Sequence, residues 1–182
     1  MKIPLEITKI KDPDGLERVR LTIAFQDAIQ NTSLNIKIIH LQEKYIDTIK
    51  KCKEMIDYMR ESRKNAGDPI LKWHLSNEIY NFLLETEQNN IIITNFRKSL
   101  SRDIGLSLRL INSLIAFRES YSEIKMVNKK INWDRYREIL DISDNHLRQL
   151  MFEKILNGEI RTRTDIKNFK KFYINQDLSR RA

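Results

Sequence analysis

The stretch Asn95-Phe96-Arg97-Lys98-Ser99-Leu100-Ser101-Arg102-Asp103-Ile104-Gly105-Leu106-Ser107-Leu108-Arg109-Leu110-Ile111-Asn112-Ser113-Leu114 decides the reading of this chain. Two short helices that cross steeply need a tight turn with one residue in the left-handed region. Gly105 supplies it, because a residue without Cβ enters that region at no steric cost. The faces that meet across such a turn must be apolar. Leu100 and Ile104 lie one turn apart in the first helix, Ile111 and Leu114 do so in the second, and Leu106 plugs the corner. Ser101 is small, as the close approach of the helices requires, and Ser107 is placed to cap the second helix. The pattern is that of a helix-turn-helix over residues 95–118.

The residues left facing outward on the second helix are Leu108, Arg109, Asn112, Ser113 and, two turns in, Arg118. Their chemistry suits the edge of a DNA major groove. Arginine can fork onto guanine O6 and N7, and asparagine can do the same with adenine N6 and N7. Arg97, Lys98 and Arg102 on the first helix would lie beside the phosphate backbone and fix register without reading sequence. With Ser107 at the helix start, these residues form the expected DNA-binding set. Leu108 fits less well, since an exposed leucine reads only thymine methyls. Helical hairpins that bind nothing also contain glycine turns.

Charge is distributed in the same sense. Residues 1–90 hold 14 Lys and Arg against 14 Asp and Glu, so the whole net charge of +8 falls in residues 91–182. A neutral half joined to a basic half is what a scaffold carrying a polyanion-binding unit would show. A basic surface without a partner has the same composition, so charge supports the motif and does not replace it.

Working outward, Leu5–Ile10 and Arg18–Ile23 have β-type composition, and Asp12-Pro13-Asp14-Gly15 between them is a turn sequence. A β-hairpin is expected there, and since a lone hairpin is marginal in water it must pack on a helix or pair with a partner. Asn31-Thr32-Ser33 offers N-cap oxygens for a long helix to about Lys64. Its apolar positions are Leu34, Ile38, Leu41, Tyr45, Ile49, Cys52, Ile56 and Met59, a near-heptad stripe. That stripe can pack within the chain or pair with its copy in a homodimer. Gly67, Asp68 and Pro69 then end one helix and start another over residues 69–88. The polar link Glu87-Gln88-Asn89-Asn90 precedes the basic half.

Beyond the central motif, Trp133 and Tyr136 share a helical face and read as core. Asp141-Ile142-Ser143 ends that helix and caps another running to Asn157-Gly158. Thr162 or Thr164 caps a final helix bearing Lys167, Lys170 and Lys171, which with Arg161 and Arg163 could add phosphate contacts. Residues 176–182 read as a disordered basic tail.

Four stretches together resemble the DUF1016 (YhcG-like) N-terminal domain. Trp73-His74-Leu75-Ser76-Asn77-Glu78-Ile79 is similar to its W-x-I-G-x-x-I helix. Leu100 through Phe117 is similar to its helix-turn-helix, with Phe117 as the closing aromatic. Ile131-Asn132-Trp133-Asp134-Arg135-Tyr136-Arg137-Glu138-Ile139-Leu140 resembles L-S-W-S-H-Y-x-x-L-L, and Asp141 to Phe169 resembles the helical tail. Similar helices occur in the DNA-binding region of ParB-like partition proteins. Ser76 stands where the family has Gly, and Asp134-Arg135 where it has Ser-His, so no role of that histidine carries over. The likeness covers residues 70–172. It implies DNA binding and does not imply cleavage, because the family's nuclease domain would begin where this chain stops.

Enzyme chemistry finds little here. His40, His74 and His146 fall on separate helices without metal-ligand spacing, and no Gly-rich phosphate loop or nucleophile motif is present. Asp12-Pro13-Asp14 lacks the E-x-K that a nuclease metal site needs. Cys52 alone excludes an internal disulfide and a cysteine zinc site. No apolar run approaches the roughly 20 residues that span a bilayer. The expectation is a cytoplasmic, mainly α protein without cofactor or metal. It has a hairpin and long helix as an assembly arm (residues 1–66), a helical DNA-binding domain (residues 67–175) and the basic tail. It would bind duplex DNA as a homodimer through residues 34–59, in transcription regulation, plasmid or mobile-element maintenance, or defence. The competing expectation is an adaptor that binds a protein partner through the long helix and touches nucleic acid without specificity.

Overall fold

Alternation of apolar and polar residues at the N-terminus produces β1 (Ile3–Lys11) and β2 (Glu17–Ile23), antiparallel with Leu5 opposite Ile23 and Lys11 opposite Glu17. Leu5, Ile7 and Leu21 are buried, as the period-2 pattern requires. The computed structural model of the chain describes residues 2–11, 16–23 and 32–181, the side chains of 32 and 174–181 excepted. The expected turn at Asp12–Gly15 and the capping Asn31 lie outside the described residues.

Among the described residues seven α-helices of eight residues or more follow: α1 (Thr32–Arg60), α3 (Pro69–Gln88), α4 (Phe96–Ile104), α5 (Leu108–Ser120), α6 (Trp133–Leu140), α7 (Asn145–Leu156) and α8 (Arg163–Arg181). The short α2 (Arg63–Gly67) and a 3₁₀ turn, Ile124–Met126, complete the described helices. The protein is mainly α with a small N-terminal sheet.

Several boundaries differ from the sequence reading, each for a local reason. The long helix stops at Arg60 rather than near Lys64, because Ser62 adopts an extended conformation and its hydroxyl caps α2 by accepting from Asn65 N–H. A third strand, β3 (Ile91–Ile93), follows α3 where only a polar link is expected. Asn90, at φ 56°, turns the chain, and the β-branched run pairs parallel to β1, with Ile3 opposite Ile91. The sheet order is β2-β1-β3. Asn95 extends the ladder with its side chain: Ile7 N–H donates to Asn95 Oδ1 and Asn95 Nδ2 donates to Ile7 O, both at 2.9 Å. Helix α7 is capped by Asp144, not Ser143, since Asp144 Oδ1 accepts from Leu147 N–H at 2.8 Å. The last helix is capped by Thr162, whose Oγ1 accepts from Asp165 N–H. It continues to Arg181, so the expected basic tail is part of α8.

Helix α3 matches its expected span, with Asp68 Oδ1 accepting from Ile70 N–H and Pro69 in the first turn. The stripe on α1 faces inward against α3, α4 and β2. Leu34, Ile38, Leu41, Tyr45, Cys52, Ile56 and Met59 are all buried. Their apolar surface is used inside one chain. Thr48, not Ile49, completes the buried row, and Ile49 is only half-buried. The exposed face of α1 instead carries Ile36, Ile39 and Ile46. Among the described residues one continuous core runs from Leu5 in β1 to Ile166 in α8.

Candidate nucleic-acid interface

Helices α4 and α5 meet at Gly105. Gly105 terminates α4 at φ 68°, ψ 31°, in the left-handed region. The Ser107 hydroxyl caps α5 by accepting from Leu110 N–H at 3.3 Å. Ser101 Oγ donates to Leu106 O at 2.6 Å, bracing the turn from inside. Leu100, Ile104, Ile111 and Leu114 are buried, and Leu106 packs partly buried at the corner.

The far end of α5 is fixed by an aromatic cluster. The Phe117 ring lies 5.1 Å from Tyr121, 5.1 Å from Trp133 and 5.0 Å from Tyr136, centroid to centroid. Trp133 and Tyr136 are thus core residues, as their spacing implies. Burial holds the hydroxyl of Tyr136 protonated, its pKa pushed up to about 12. The same cluster positions α6 beside α5.

Of the expected DNA-binding residues, Lys98, Ser107, Arg109 and Asn112 are exposed and Ser113 is partly so. Arg97 Nη1 donates to Asn112 Oδ1 at 3.1 Å, bridging the two helices across the exposed surface. Arg102 lies elsewhere. Five residues on from Arg97 it is turned by about 140° around α4. Its Nε bonds Asp103 Oδ1 at 3.2 Å, and it borders a cleft shared with Lys53 and Arg60 of α1.

Arg118 is not an outward residue. It stands nine positions beyond Arg109, two and a half turns, which puts it on the opposite side of α5. Its guanidinium lies 5.2 Å from the Trp73 ring and 5.2 Å from the Tyr80 ring, and its Nε donates to Asn77 Oδ1 at 2.8 Å. The residue clamps α5 to α3.

Sequence reasoning assigned no role to Arg135 and Arg137, which face Arg109 across a cleft. A polar cleft of about 450 Å³ runs between α5, α6 and the start of α8, lined by Arg109 and Ser113 on one side and by Arg135, Arg137, Arg161 and Arg163 on the other. Arg161 and Arg163 were legible as candidate phosphate contacts from the basic run before α8. Arg135 and Arg137 enter only because Trp133 and Tyr136 dock α6 on α5. Lys170 is not free for such a contact, since it pairs with Glu138 at 3.1 Å and Asp141 at 3.6 Å.

His40 bonds Glu85 at 2.6 Å, His74 stacks edge-on to Trp73, and His146 is exposed on α7. Among the described residues no group of three or more His, Cys, Asp or Glu side chains could hold a metal ion. No helix among them is long and apolar enough to cross a membrane. No protein-family model, curated protein or solved structure matches the chain.

Proposed function

We propose that this is a binding protein, not an enzyme, that lays the exposed face of α5 in the major groove of duplex DNA. The observation that carries the reading is that a glycine-pivoted, serine-capped helix holds Arg109, Asn112 and Ser113 outward. Those side chains can bond base edges, and the rigid frame beneath them satisfies the need for a preorganised reader. The likeness to the DUF1016 N-terminal domain supports the same function and rests on its four motifs alone. Transcription regulation, plasmid or mobile-element maintenance, and defence are the processes such a protein serves.

The test is selection of bound fragments from a random duplex library, followed by binding of the selected site and of a scrambled one. Arg109→Ala and Asn112→Ala should weaken the selected site by about 1–3 kcal/mol each and leave the scrambled site nearly unchanged. Equal loss on both sequences would remove the base-reading role.

A second reading draws on Ile36, Ile39 and Ile46, which share one exposed side of α1 opposite the buried row. An adaptor docking a protein partner would use such a face, and so would a homodimer joined through residues 34–59. Light scattering on the wild type and on Ile39→Glu separates the cases: a dimer dissociates in the variant, whereas a monomer points to a different partner.

A further inference from the structure

The cleft beside α5 has a charge arrangement that ordinary surface ion pairs do not produce. Five guanidiniums line it against three carboxylates, Asp134, Glu138 and Asp141. Those carboxylates are spoken for. Glu138 holds Arg163 and Lys170 at 3.1 Å each, Asp141 faces Lys170, and Asp134 reaches only Arg137, at 3.8 Å. The guanidiniums of Arg109, Arg135 and Arg161 have no carboxylate partner among the described residues, although the Arg161 backbone N–H donates to Asp165 Oδ2 at 2.9 Å.

Two of these three are nevertheless held in place. Arg135 Nη2 donates to Arg161 O at 2.6 Å, and Arg161 Nε donates to Gly158 O at 2.7 Å. Gly158, at φ 76°, ends α7 in the left-handed region and brings its carbonyl there. A neutral carbonyl orients a guanidinium without cancelling its charge, whereas a carboxylate does both. Arg137 adds a buried Nε with no hydrogen-bond partner, a donor whose desolvation is uncompensated. Oriented, uncancelled guanidiniums around one concavity form a receptor for an oxyanion with several equatorial oxygens.

We infer that this cleft binds a phosphate group, held by the carbonyl-oriented guanidiniums of Arg135 and Arg161 with the Asn132 side-chain amide as a neutral donor. The group can be a phosphodiester of a nucleic-acid backbone or a free phosphate. The backbone source rests on the duplex reading above and places a phosphate contact at the edge of the α5 surface; the free source does not.

The experiment is a titration of the full chain with inorganic phosphate, following the arginine Nε–H resonances by NMR. A parallel measurement follows the salt dependence of duplex binding for wild type, Arg135→Gln and Arg161→Gln. Saturable shifts of the Arg135 and Arg161 resonances, with the surface resonance of Arg60 unmoved, are expected. Each variant should also lower the logarithmic salt slope by about one and weaken selected and scrambled duplexes alike. Shifts with unchanged salt slopes support the site and assign it to free phosphate. No saturable shift in the wild type together with unchanged slopes overturns the inference, and the wild-type titration stands even if a variant fails to fold. Loss of sequence selectivity in Arg109→Ala reports on base reading. The slopes of Arg135→Gln and Arg161→Gln report on the cleft, so the two proposals fail separately.

Discussion

The hydroxyl of Tyr45 donates to Asp103 Oδ2 at 2.9 Å in the interior, tying the middle of α1 to the first helix of the central motif. Asp103 Oδ1 is also held by Lys9 Nζ from β1 at 3.3 Å and by Arg102 Nε at 3.2 Å. Burial, and then the adjacent Asp103 charge, keep the Tyr45 pKa far above its usual range, so the phenol stays a donor. A buried carboxylate needs such partners, and here they come from three separate parts of the chain. Asp103 therefore joins the sheet, the long helix and α4 through side-chain contacts.

Tyr45→Phe removes one donor from that carboxylate and should destabilise the fold by about 1.5–3 kcal/mol, the range for a hydrogen bond to a charged group. Urea unfolding measures it. A variant as stable as the wild type would mean that Lys9 and Arg102 suffice.

Gly105→Ala meets no steric obstacle, since nothing lies within 4 Å of an added Cβ. Its cost is backbone strain at φ 68°, about 1–2 kcal/mol, and Gly105→Asn should cost less because asparagine tolerates this region. Chemical denaturation at an unchanged m-value is the measurement, with the order Gly, Asn, Ala as the expected result.

Arg118→Ala breaks the clamp on Trp73, Tyr80 and Asn77 and should cost about 2 kcal/mol. Arg109→Ala, on the opposite side of the same helix, should stay within about 0.5 kcal/mol of wild type. Thermal unfolding compares them, and the Trp73 emission should change only in the Arg118 variant.

Glu138 sets a pH dependence. Burial works to raise its pKa, but the hydrogen bonds and charges of Lys170 and Arg163 together outweigh it and hold the carboxyl below its usual range. A lowered folded-state pKa contributes stability that is present above the unfolded value, about 4.3, and is lost as pH falls through the folded value. Thermal midpoints across the acid range should fall less steeply in Glu138→Gln than in the wild type.

Cys52 is buried, and burial, with a smaller push from Glu78, raises its thiol pKa to about 12. At mildly alkaline pH it should resist iodoacetamide in the folded protein and react readily in concentrated guanidinium chloride. Mass spectrometry reads the modification, and rapid labelling of the native chain would contradict the burial.

Local chemistry made most of the elements legible before folding. Gly105 followed by Ser107 dictates a turn and a cap wherever the segment lies, Asp68-Pro69 starts α3 by its own geometry, and the alternation in β1 and β2 marks a hairpin. The inward faces of α4 and α5 followed from helical spacing, because a 3.6-residue period leaves little choice of side. The same rule, applied loosely, misplaced Arg118 by half a turn. Beyond local order, sequence spacing could not say what each surface meets. It left the α1 stripe open between a core and a dimer seam, missed the short strand β3 whose ladder partner lies about 90 residues away, and gave Asp103 no role. The basic cleft beside Arg109 was least legible. Its walls come from α5, α6 and the α7–α8 junction, and only packing around Phe117, Trp133 and Tyr136 brings them together. The sequence alone determined the glycine-pivoted helix pair α4 and α5 and its outward arginine and asparagine. The tertiary structure decided which charges stand free and which are used to hold the helices, because that depends on neighbours distant along the chain.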